Sequence, residues 1–201
     1  MREAPRCARA LQAQMSSMAF LRWFSRGPCA AVPAARAWLL VVFSAVVTAV
    51  AWAVFSRLPA MPVRVGMSAV DAAVPLGYQV SVFPAFGAFV GALALDVARS
   101  EARRTWLPRL VLVGTLCALA AARVAGALPL SGHALLVFGV LAYAITAPAD
   151  RDAHVLVALA APALLVVAWC KLVVWGDPGW FAASAVLGAA AGAVVARIAR
   201  S

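Results

Sequence analysis

The sequence is short of charge. Only 12% of its 201 residues are Asp, Glu, Lys or Arg, about half of what a soluble domain carries. That shortage leaves too little polar surface to coat a globule, and it excludes an ordinary water-soluble fold. Acidic residues are scarcer still, 7 against 17 basic ones. Histidine occurs twice, and the four cysteines, Cys7, Cys29, Cys117 and Cys170, form no Cys-x-x-Cys pair. A zinc site or a thiol redox motif therefore has no support in the sequence, and neither a metal nor a cofactor is expected.

What fills the chain is apolar, 66% of all residues. The apolar residues come as continuous blocks of Ala, Val and Leu rather than in the alternation that a transmembrane barrel strand requires. Blocks of about 20 residues match the hydrocarbon thickness of a bilayer. We place six transmembrane helices at 37–56, 80–97, 107–128, 132–147, 153–175 and 178–197. The expected fold is an all-α membrane protein, a six-transmembrane-helix bundle over 37–201, preceded by an Arg-rich segment at 1–36.

The punctuation agrees. Pro59, Pro62 and Pro75 mark the one long loop, with room for a short interfacial helix around 67–73. Pro129 precedes the fourth helix, Pro148 ends it, and Pro178 sits where a first-turn proline is tolerated. Gly87 with Gly91, and Gly188 with Gly192, have the four-residue spacing that lets helices approach closely in lipid. Cys117 and Cys170 fall in apolar runs and are expected to be buried thiols.

The net charge of +10 would suggest nucleic acid in a soluble protein. Here the basic residues lie between the apolar runs, and no basic stripe with interleaved aromatics is present. They are read as topology. One side of the membrane would hold Arg2, Arg6, Arg9, Arg22, Arg26, Arg36, Arg99, Arg103, Arg104, Arg109, Arg151, Arg197 and Arg200. The other would hold only Arg57, Arg64, Arg123 and Lys171. That asymmetry places both termini in the cytoplasm. The segment 1–36, amphipathic around Phe20–Phe24, is expected to lie near anionic lipid; Met15 and Met18 are alternative starts.

Few polar residues remain for the outer face: Arg123, Ser131, Gly132, His133, Lys171 and Asp177, all at helix ends. A four-helix cluster would bring them together. Ser131 suits the cap of the fourth helix, whose first amides are an anion site in the making. Gly132 permits close approach to the backbone, Arg123 and Lys171 supply positive charge for a phosphate, and His133 is placed to give a proton to a leaving oxygen. The plain alternative is a capped helix with a histidine at headgroup depth. Asp177 is a carboxylate nucleophile or, more simply, the ion-pair partner of Lys171 and the cap of the sixth helix. His154 starts the fifth helix on the opposite side, about 30 Å from His133, beside Asp150, Arg151 and Asp152.

Leu128-Pro129-Leu130-Ser131-Gly132-His133, at the outer start of a fourth helix, resembles the second motif of the type 2 phosphatidic acid phosphatase (PAP2) superfamily. The resemblance covers roughly 80–197. It implies a six-helix core, phosphate release from a lipid or isoprenoid phosphate at the outer face of the cell membrane, and His133 as the acid. The family has Pro where Leu130 stands, and its first motif is not recognisable, with Arg123 the nearest substitute for its cation. In the third motif Cys170-Lys171 aligns with Ser-Arg. Asp177 then falls on the family's nucleophilic histidine and Phe181 on the aspartate that orients it. A register that matches Gly188 and Gly192 puts Trp180 and Ser184 there. Neither supplies a histidine. Three readings follow: a phosphatase; a catalytically inactive relative that binds lipid phosphate or supports a partner; and an unrelated six-helix carrier. The carrier is disfavoured because ionisable residues are nearly absent from the helix interiors, Asp96 being the nearest and at a helix end. The oligomeric state is left open.

Overall fold

A computed structural model of the chain describes residues 34–57, 73–99, 101, 103–127, 130–147 and 150–199, with 73–75 and 103–104 as backbone only. The segment 1–33 and the loop helix expected at 67–73 lie outside them, apart from residue 73 itself.

Every regular element among the described residues is helical: α1 Ala34–Phe55, α2 Ala73–Val80, α3 Phe83–Ala98, α4 Arg103–Val124, α5 Gly132–Thr146, α6 Ala153–Trp169 with a π-helical turn Cys170–Val174, and α7 Pro178–Ile198. Five spans are long and apolar enough to cross a membrane: α1, α2 with α3 (Leu76–Ala98), α4, α6 with its π turn, and α7. The shorter α5 is equally apolar and packs at the centre of the bundle. Large apolar side chains such as Trp38, Val46, Leu165, Val186 and Val194 face outward. In water such an exterior would be unstable; in lipid it is the favourable one. The chain is a multi-pass α-helical membrane protein.

One span and one cysteine differ most from the sequence reading. The second span begins earlier and is broken at Ser81–Val82. Pro84, at the start of α3, lacks an amide hydrogen and clashes with the carbonyl four residues back, which favours a break there, although Pro108 and Pro162 are accommodated inside α4 and α6. Cys170 is buried as expected, but Cys117 points out of the bundle: its run is apolar all round, and apolarity alone does not distinguish a lipid-facing side from a packed one.

Both glycine pairs are seams. A Cβ on Gly87 or Gly91 would meet Val47 or Phe43 of α1, at 3.1 and 2.9 Å. A Cβ on Gly188 or Gly192 would strike the Leu135 or Gly139 carbonyl oxygen of α5. The α5–α7 contact is thus backbone against backbone, closer than any side chain permits.

Candidate functional site at the Ser131 end

The helix starts at Leu76 and Ser131 and the helix ends at Arg123 and Val174 fall at the same end of the bundle. The break at Ser81 exposes backbone carbonyls there, and the Gln79 carbonyl accepts a hydrogen bond from His133 Nε2 at 3.0 Å. A carbonyl only accepts, so the Nε2 nitrogen carries the proton. The His133 ring lies 4.3 Å from the Tyr78 ring, centroid to centroid. Trp175 meets Tyr78 edge-on at 4.6 Å.

The π turn shapes the rest. Its wider coil closes with Trp175 N–H on the Cys170 carbonyl at 2.9 Å, and Gly176, at φ 58, turns the chain through a left-handed conformation suited to glycine. Lys171 Nζ is thereby set 5.9 Å from the Tyr78 centroid and 5.6 Å from that of Trp175, within cation–π range. π turns recur where helices carry function.

Ser131 occupies the cap position of α5 but its hydroxyl does not cap. It is 2% exposed and lies 3.2 Å from the Tyr78 hydroxyl, because a partner on a neighbouring helix is within reach of the buried group. The Ser131 amide donates to Ser184 Oγ at 2.6 Å, and Ser184 in turn donates to the Trp180 carbonyl. The space beside Gly132 is open. Arg123 Nε donates to the Leu130 carbonyl at 2.8 Å, tying the end of α4 to the entry of α5.

Asp177 stands at the cap position of α7, again without capping through its side chain. Its carboxylate lies 3.8 Å from Lys171 Nζ. The simpler sequence reading, a pair with Lys171, is the geometry found. All six candidates, Arg123, Ser131, Gly132, His133, Lys171 and Asp177, fall at this one end of the bundle. His154, second residue of α6 and exposed, lies at the other.

Sequence reasoning missed Tyr78, Gln79, Trp175 and the role of Ser184. Tyr78 is one of only two tyrosines, and its place just before the Ser81–Pro84 break was the available signal. Ser184, which the shifted register sets on the place of the family's aspartate, reaches Ser131 and not a histidine.

The opposite end holds a charge cluster that was read only as topology. Arg36 grips Asp152 with Nε and Nη2, both at 2.8 Å, and reaches Asp96 at 2.6 Å. Arg109 donates to Asp96, Asp150 and Asp152 at 2.9, 2.6 and 2.7 Å. Arg151 joins Asp96 to Glu101, and Tyr143 donates to Asp150. Four helices, α1, α3, α4 and α5, and two loops, at Glu101 and at 150–152, meet in it. Burial alone would push the Asp152 carboxyl up, but the hydrogen bonds from Arg36 and the Arg109 charge hold it below the usual carboxylate range. Glu101 is likewise lowered, chiefly by its hydrogen bond from Arg151. No group of His, Cys, Asp and Glu among the described residues could hold a metal ion.

The chain matches no family model, no curated protein and no solved structure.

Proposed function

We propose that this chain is a PAP2-like membrane protein that binds a lipid or isoprenoid phosphate at the Ser131 end without hydrolysing it. The observation that carries the reading is the grouping of the α5 start, with open space at Gly132, and the Lys171 cation at one bundle end. A phosphate there would meet the first amides of α5, the Lys171 ammonium and the aromatic walls of Tyr78 and Trp175. The positive-inside count puts this end on the extracytoplasmic face of the cell (inner) membrane and both termini in the cytoplasm.

Turnover is disfavoured by what surrounds the phosphate position. No histidine besides His133 is near. The Nε2 proton of His133 is engaged by the Gln79 carbonyl, which leaves it poorly placed to protonate a leaving oxygen. Asp177, the one carboxylate described at this end, is turned to Lys171. As a nucleophile it would also meet the repulsion of an anionic phosphate.

The test is retention of phosphatidic acid by the purified protein in nanodiscs, read by native mass spectrometry against phosphatidylcholine. Selective retention that weakens at least tenfold in Lys171→Ala and survives His133→Ala is the expected result. Equal retention of both lipids, or indifference to Lys171→Ala, would overturn the reading.

A further inference from the structure

A cavity of about 350 Å³ opens beside the charge cluster, at the end of the bundle opposite Ser131. Asp96, Glu101, Arg109, Tyr143, Asp150 and Arg151 line it. Its volume accommodates a headgroup-sized ligand. We propose that this chamber binds a small zwitterion with a primary ammonium, of phosphoethanolamine type.

Two features lead there. The first is charge. The cluster of Arg36, Arg109 and Arg151 with Asp96, Glu101, Asp150 and Asp152 has one carboxylate more than it has guanidiniums. The second is an unmet donor. Arg109 is 2% exposed, and its Nε–H has no partner among the described residues. A buried donor left so is costly and suits an acceptor oxygen on a ligand.

The lining thus offers acceptors to an ammonium and guanidinium donors to an acidic oxygen. At the rim, Glu101 and Arg151 are the least buried members of the cluster, with side chains 26% and 33% exposed. They present both signs side by side. A quaternary ammonium has no N–H to give these carboxylates, so the chamber discriminates against choline. The headgroup of phosphatidylethanolamine and free phosphoethanolamine share the chemistry required.

The experiment has two arms on the full chain. Native mass spectrometry from mixed nanodiscs compares retained phosphatidylethanolamine with phosphatidylcholine. Calorimetry in a neutral detergent compares free O-phosphoethanolamine with phosphocholine. We expect at least a tenfold preference for the primary ammonium, lost in Glu101→Gln and in Arg151→Gln and kept in Arg99→Gln, which removes an exposed charge outside the lining. Binding of the free compound without retention of the lipid supports the chamber and assigns the ligand to a soluble source. No preference in either arm, or a preference that survives both lining variants, overturns the proposal and leaves a purely structural ion-pair network. If either lining variant fails to fold, displacement of the lipid by free phosphoethanolamine from the unaltered protein decides the question.

Discussion

The two ends of this bundle solve the problem of polar groups in a membrane differently. At the Arg36 end, seven charged side chains are linked in one network with nearly every buried atom paired. At the Ser131 end the groups are mostly neutral or aromatic, hydrogen bonds run singly between helices, and the Lys171–Asp177 ion pair is long at 3.8 Å. The first end ties helices together through ion pairs and leaves two buried guanidinium nitrogens, Arg36 Nη1 and Arg109 Nε, without a partner among the described residues. The second is held by single contacts beside the open space at Gly132. Removing a carboxylate from the ionic network strands its arginines, while removing one group from the sparse end disturbs a single contact.

The largest expected effect breaks the first end. Asp152→Asn leaves Arg36 and Arg109 undercompensated and should cost about 3–5 kcal/mol, measured by denaturant-driven unfolding in mixed micelles. A loss no larger than that of an exposed substitution would show that the network is wet and weak. Next is the seam between the ends. Gly192→Ala drives a methyl into the α5 backbone and should cost about 1–3 kcal/mol by overpacking; Gly114→Ala, where nothing crowds the added carbon, is the control. At the Ser131 end, Ser184→Ala strands one buried amide, worth about 1–3 kcal/mol. It should cost less than Asp152→Asn in the same assay.

Acid sharpens the contrast. Asp152 and Glu101 have folded-state pKa values below their ordinary ones. Their contribution is therefore complete above the unfolded carboxylate pKa, about 4, and is lost as pH falls through the lower folded value. Stability should hold from neutral pH to about 5 and decline below about 4. The decline should shrink in Asp152→Asn and be unchanged in Lys171→Ala.

Much of this architecture was legible in the chain. Apolar runs bounded by Pro59, Pro129, Pro148 and Pro178 located the spans within a few residues, because only helices satisfy their backbone inside lipid. The glycine pairs marked real seams: a Cβ at Gly188 or Gly192 would strike backbone, and one at Gly87 or Gly91 would press on Val47 or Phe43. The charge network was not legible. Counting Lys and Arg by side treats each as a solvated marker, and so hides that Arg36, Asp96, Arg109 and Asp152 come from distant positions to one buried spot. The better signal was Asp96, Glu101, Asp150 and Asp152, which sit on the side already richest in arginine. At the Ser131 end the six polar candidates were found, but Tyr78, Gln79, Trp175 and the part played by Ser184 were not. Aromatic and small residues look alike whether they face lipid or a site, and the break and π turn that aim them depend on packing.

The most direct test of a bundle that holds phosphate without cleaving it is phosphate release by the purified, monodisperse protein. The substrates are phosphatidic acid and an isoprenoid diphosphate, assayed without added metal. The arrangement around His133 and Asp177 predicts no release above the detergent blank. Release that disappears in His133→Ala would contradict it and make the Ser131 end an active site.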